Sequence, residues 1–135
     1  MNDWNDILKK FNKIGEYYFN EEKKQVSRKI VNVKISTRTC LVYIFLINNQ
    51  CKYIGKTIQG YRRPLGYHKN KYMPTVHNNI LKAVKSGEIV EVFCRVFNEN
   101  DKILFEDVLI NPFSAYEEAL INKIGVTNLW NNQKY

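Results

Sequence analysis

At 135 residues, 44% of them hydrophobic, the chain is long enough to bury one core without metals or disulfides, and nothing in it calls for a second domain. Three cysteines, Cys40, Cys51 and Cys94, lack the spacing of a metal site and make an odd count, no apolar run reaches the length of a membrane span, and Met1-Asn2-Asp3-Trp4 begins no secretory signal. A reduced, cytoplasmic protein without a membrane partner is expected. The net charge of +8 is unevenly placed: no acid occurs between Lys23 and Ser86, whereas residues 88–135 carry eight acids against four bases. An acid-free interval spanning several elements implies one positive surface for phosphates, hence a nucleic acid partner.

In chain order, Trp4, Ile7, Leu8, Phe11, Ile14 and Tyr18 recur mostly at threes and fours, which predicts an amphipathic helix from residue 3 to about 24. Its apolar stripe either covers a sheet or serves an interface. Ile30 to Ile35 alternates, Val31, Val33 and Ile35 against Asn32 and Lys34, as a half-exposed strand would. Residues 41–57 hold two apolar runs joined across Asn48, Asn49 and Gln50, a β-hairpin pattern. A three-residue loop there sets Ile47 opposite Cys51 and brings Tyr43 and Tyr53 to one face; a two-residue loop separates them unless a bulge intervenes. Gly55-Lys56-Thr57 is not the end of a P-loop, since Gln50 stands where that loop needs glycine.

Pro64 and Gly66 disfavour a helix interior, so a helix is expected to begin at or after Pro64. Residues 74–86 read as a helix with Val76, Ile80, Leu81 and Val84 on one face and Gly87 as its stop; His77 lies off that stripe, at the surface or on a phosphate. Residues 89–97 and 103–110 read as strands, with a turn at 98–101 between them. A last helix, opened by residues 111–114, carries Glu117, Leu120, Ile121 and Ile124 and ends at Gly125. The expected fold is α/β, a small and mostly antiparallel sheet with flanking helices.

Val42-Tyr43-Ile44 followed by Tyr53-Ile54-Gly55 resembles the paired signature of the GIY-YIG nucleases, with Leu41-Val42 where Gly-Ile would stand. Arg63, ten residues after Tyr53, and Tyr67, four further on, resemble the family's arginine and its histidine-or-tyrosine. Tyr116-Glu117-Glu118-Ala119-Leu120-Ile121 resembles the helix bearing its glutamate, and Asn128 in Thr-Asn-Leu-Trp-Asn closes the set. The resemblance covers residues 40 to about 132, leaving 1–39 as an N-terminal extension to a core of 40–135. It departs at Pro64 and Gly66, where the family carries an ordinary helix, so Arg62 in place of Arg63, or His68 in place of Tyr67, stays open.

The resemblance implies hydrolysis of phosphodiesters in double-stranded DNA with one Mg2+ or Mn2+ per active site, held by Glu117. Arg63 would hold the phosphate, and Tyr43, pushed toward phenolate by cationic neighbours or passing its proton onward, would be the base. Tyr53 or Tyr67 would assist, the two strand tyrosines being interchangeable, and Asn128 would stabilise the site. Lys56, Arg62, His68, Lys69 and Lys71 are candidate DNA contacts. Within the family, the reading is a site-specific type II restriction-like enzyme, a homodimer at least on DNA, joined through the N-terminal helix. The alternatives are a repair-type or partner-dependent structure-specific nuclease, a non-catalytic DNA-binding module, and a basic structural partner of a larger complex.

Overall fold

The structure, a computed structural model, describes residues 3–70, 73–98, 102–111, 115–125 and 129–132. A short helix α1 (Asp3–Leu8) leads into strands β1 (Asn12–Asn20) and β2 (Gln25–Ile30), then β3 (Cys40–Ile47) and β4 (Gln50–Thr57). Next come helix α2 (Pro74–Lys85), strand β5 (Val90–Phe97), the short strands β6 (Ile103–Phe105) and β7 (Val108–Ile110), and helix α3 (Glu117–Ile124). Five strands make one sheet in the order β2-β1-β5-β3-β4, every neighbouring pair antiparallel. This is the mixed α/β architecture expected.

The sheet has a core on each face. Tyr17, Tyr43, Phe45, Tyr53, Leu65 and Tyr67 pack with Val76, Ile80 and Val84 of α2 on one side. Val42, Ile44, Leu46 and Ile54 pack with Phe11 and with Tyr116 and Leu120 on the other. Strand β3 is covered on both faces, which is why Leu41 to Ile47 reads as an unbroken apolar run rather than an alternation.

The predicted helix over 3–24 stops at Leu8, and the chain then forms a β-hairpin paired from Gly15 opposite Ile30 to Asn20 opposite Gln25. Two features of the sequence defeat the helix. Gly15 costs about 1 kcal/mol relative to alanine in a helix interior, and the aromatic run Tyr17-Tyr18-Phe19 suits a pleated surface. The spacing that imitated a helix comes from a bulge: Ile14 is the extra residue where β1 passes from Lys13 opposite Phe93 to Gly15 opposite Val92, so Ile14 and Tyr17 enter the same core though three apart. The strand expected over 30–35 is also absent. Strand β2 ends at Ile30, Asn32 turns the chain with φ 56°, and Val33 and Ile35 pack on the core from an irregular segment.

In the central hairpin the turn is the two residues Asn48 and Asn49, with φ of 51° and 65°, so Ile47 faces Gln50 and Leu46 faces Cys51. The expected three-residue loop is therefore corrected, yet the parity survives. A bulge shifts the register before Phe45 meets Tyr53, which leaves Tyr43 opposite Gly55 and both tyrosines on one face.

Residues 103–110 form not one strand but a small hairpin, reversed at Glu106 and Asp107, both at positive φ (49° and 68°). It stands apart from the main sheet, with Leu104, Val108 and Leu109 exposed. Helix α2 starts with Pro74 in its first turn and stops before Gly87 at φ 90°; α3 is capped by Gly125 at φ 95°. No helix begins at Pro64: a single 3-10 turn, Gly60–Arg62, precedes it and irregular turns and bends follow to residue 70. Among the described residues no helix is long and apolar enough to cross a membrane.

Candidate active site

The pairing of β3 with β4 lays the Tyr43 ring across Gly55, where a Cβ atom would stand 2.5 Å from the Tyr43 hydroxyl. Only glycine leaves room there. Tyr43, Tyr53 and Tyr67 surround a common point, their ring centroids 6.1, 6.5 and 6.3 Å apart pairwise, and Phe45 closes the floor. The Tyr43 and Tyr67 hydroxyls are hydrogen-bonded at 2.9 Å. Half-buried Arg63 donates from Nε to the Tyr67 hydroxyl at 3.3 Å, its guanidinium carbon 6.0 Å from that ring's centre. Four of the residues singled out in the sequence thus meet in one place. Arg62 instead is exposed, as are Lys56 and Lys69, and His68 is half-buried with Nδ1 enclosed. Burial, with Arg28 and Lys69 adding, lowers the His68 pKa. Lys71 and Asn128 lie outside the described residues.

The segment carrying Arg63 and Tyr67 is tied down from elsewhere in the chain. Gly60, at φ 71°, donates its N–H to the Thr39 carbonyl at 3.0 Å, and a Cβ atom there would collide with the Thr37 carbonyl. Arg28 donates to the Leu65 carbonyl at 2.8 Å, and the Tyr17 hydroxyl donates to the Pro64 carbonyl while accepting the Tyr67 N–H at 3.0 Å. His77 Nδ1 bonds the Tyr67 carbonyl at 2.8 Å, so its expected place at the surface or on a phosphate is corrected. A carbonyl only accepts, hence Nδ1 carries the proton.

Glu117 approaches from the other face, on α3, which packs against β4 at the open edge of the sheet. Strand alternation puts Lys56 on that same face, and the two are electrostatically coupled: burial raises the Glu117 pKa, Lys56 lowers it and Glu118 raises it further. Asn131 bridges the edge itself, accepting the Ile54 N–H at 3.0 Å and donating to the Ile54 carbonyl at 2.7 Å. It does for one residue of β4 what a sixth strand would do. Among the described residues no group of three or more His, Cys, Asp or Glu side chains could hold a metal ion. A lone half-buried carboxylate fits a small hard cation, which keeps several waters and takes its remaining oxygens from substrate phosphate.

Burial holds the Tyr43 hydroxyl well above the usual phenol range, Tyr67 and Tyr53 reinforce this, and Arg63 only partly opposes it. The expectation that cationic neighbours push Tyr43 toward phenolate is therefore corrected for the free protein. Burial also raises Tyr17, and it pushes Cys51 up to about 12. Their contribution to stability is fully present below their unfolded values, near ~8.5 for thiols and ~10 for phenols, and is lost as pH rises above these toward the folded ones. Melting temperature should rise slightly from about pH 6 to 7, as His68 loses the proton it binds more tightly in the unfolded chain, and fall steadily above about 9. A thermal denaturation series across that range checks this, a flat line to pH 11 being the contrary result.

No protein-family model matches the chain, and no curated protein does. Solved structures share its fold, among them the following two. One is a point mutant of EndoII from bacteriophage T4, 21% identical, with a TM-score of 0.63 over 90% of this chain and 95% of that one. The other is the restriction endonuclease HPY188I in complex with product DNA, 21% identical, with a TM-score of 0.50 over 96% of this chain and 80% of that one.

Proposed function

We propose that this protein is a divalent-metal-dependent DNA endonuclease of the GIY-YIG type, restriction-like and site-specific. The observation that carries the reading is the contact of Arg63 with the Tyr67–Tyr43 hydroxyl pair, at that family's spacing. A fold shared with a restriction endonuclease solved with its product DNA supports it.

Arg63 places one N–H on Tyr67, and its guanidinium fork carries further donors suited to a phosphate whose charge grows in the transition state. Tyr43 and Tyr67 act as one base. Tyr43 takes the proton of the attacking water while passing its own across the 2.9 Å contact to the Tyr67 hydroxyl, which releases one to solvent. Glu117, on the other face of the sheet at the β4 edge, would hold a Mg2+ or Mn2+ ion. A scissile phosphate spanning that edge would meet both Arg63 and the ion, which when bound supplies charge neutralisation. Lys56 sits beside Glu117 as a point charge for a neighbouring phosphate.

Two copies on opposite strands would convert nicks into a double-strand break at a short site, so a homodimer on DNA belongs to the reading. Three residues of the N-terminal stripe are engaged within the chain rather than offered to a second copy. Phe11 is buried, and Ile7 and Leu8 pack with it, in the core beneath α3.

Incubating supercoiled plasmid with and without Mg2+ or Mn2+, alongside DNA affinity measured across a salt series, tests the proposal. Cleavage should require the cation, and log affinity should fall with log salt by about 0.9 per phosphate neutralised. Salt-dependent binding without cleavage under any divalent ion would leave a non-catalytic DNA-binding module. A flat salt response would remove the phosphate-binding surface altogether.

A further inference from the structure

In an α-helix, residues four apart share a face, and the N–H of the later one bonds the carbonyl of the earlier. Arg63 and Tyr67 have that spacing and meet side by side, yet no helix joins them, and the Tyr67 N–H goes to the Tyr17 hydroxyl instead. Around them only local turns close, Leu65 N–H to Tyr61 and Gly66 N–H to Arg63. Something else must set the relation between the two side chains. We propose that Tyr17, Arg28 and His77 are positioning residues, a clamp that replaces the missing helix by holding the backbone from Pro64 to Tyr67 so that Arg63 and the Tyr67 hydroxyl stand ready for catalysis. This rests on the endonuclease reading above, and it gives the N-terminal hairpin a role.

The clamp closes from three elements. Tyr17 on β1 is fully buried and uses its one hydroxyl twice, donating to Pro64 and accepting from Tyr67. Arg28 on β2 reaches the Leu65 carbonyl, and His77 on α2 takes the Tyr67 carbonyl. Both backbone polar groups of Tyr67 are therefore held by side chains, one from β1 and one from α2. Leu65 fits against Gly15, where a Cβ atom would come within 2.8 Å of Leu65 Cδ2 and 2.4 Å of the Lys29 carbonyl, so the hairpin is shaped to receive the segment.

The side-chain chemistry makes the clamp testable. Asparagine carries its amide nitrogen where histidine has Nδ1, whereas glutamine carries its own nearer Nε2. In single-turnover cleavage, His77→Ala should lose on the order of a hundredfold in rate, the scale for displacing a reacting group by about 1 Å, with DNA affinity and melting temperature nearly unchanged. His77→Asn should recover most of that loss and His77→Gln should not. In a Tyr67→Phe background, which keeps the backbone but lacks the hydroxyl, His77→Ala should cost much less than in wild type. Tyr17→Phe should lower the rate in the same way and speed hydrogen exchange at the Tyr67 amide while the β3 amides stay protected. Equal rescue by Asn and Gln, full additivity with Tyr67→Phe, or joint loss of affinity and melting temperature would overturn the positioning role. A wild-type chain that cuts no DNA fails the endonuclease reading and the catalytic role together; the Tyr67 amide then still decides whether the backbone clamp exists.

Discussion

Glu117→Gln should abolish cleavage, a loss on the order of a thousandfold or more, while nonspecific DNA affinity stays close to wild type and the protein melts at the same temperature or higher. The two effects have opposite signs because they come from different demands on one carboxyl. For the fold, a half-buried negative charge is a cost: burial raises its pKa, and Lys56 offsets only part of this. A group with a raised folded pKa binds protons more tightly when folded, so its contribution to stability is present below about pH 4 and is lost as pH rises above that. Glutamine has the same shape and no charge. Its advantage in melting temperature should therefore appear at pH 7 and shrink toward pH 4. For the proposed catalysis the charge is indispensable, as the carboxylate that would hold the metal. Exposed Glu118 is the control, and Glu118→Gln should change neither rate nor stability appreciably. Rate measurements with thermal melts at both pH values decide the matter. Full activity in Glu117→Gln with loss in Glu118→Gln would assign the metal to the neighbouring carboxylate.

The parts of the fold legible in the sequence were those whose pattern comes from a single packing demand. Strand β3 is apolar throughout because both its faces are covered, and α2 shows its stripe between Pro74 and Gly87 because one face meets the sheet. The N-terminal region misled because a bulge at Ile14 put residues three apart into one core, which copies the helical period. The tyrosines of the central hairpin came to one face through a two-residue turn plus a bulge, though a three-residue loop gives the same parity. Side chains satisfying distant backbone leave no periodic trace. Tyr17 and Tyr67 are 50 residues apart, and Asn131 and Ile54 are 77 apart. A signal for the first existed in Pro64 and Gly66: breaking a helix orphans peptide groups, and buried ones must find partners. Asn131 lies beside Trp130, three residues past the asparagine singled out by resemblance, and its contact with β4 becomes visible only when the chain's end is brought back to the sheet edge.

Replacing Arg63 by alanine should lower the cleavage rate on the order of a hundred- to a thousandfold, as removal of a single transition-state donor typically does, with little change in nonspecific affinity. Arg62→Ala should do the reverse. Arg62 is exposed, and a DNA contact made there would be the same in ground and transition states, so its loss should weaken binding and reduce the salt slope by about one contact without a comparable fall in rate at saturation. Arg63→Lys separates charge from geometry. Arginine bonds the Tyr67 hydroxyl through Nε while its terminal nitrogens can meet a phosphate, whereas a lysine ammonium at the end of a flexible stem cannot hold both positions at once. The lysine variant should therefore recover affinity but little of the rate. Single-turnover rates and binding isotherms on the same DNA, at two salt concentrations, distinguish these outcomes. If Arg62→Ala abolished turnover while Arg63→Ala lost only affinity, the phosphate would belong to Arg62. The contact between Arg63 and Tyr67 would then be part of the segment's packing, and the active site would be displaced by one residue along the turn before Pro64.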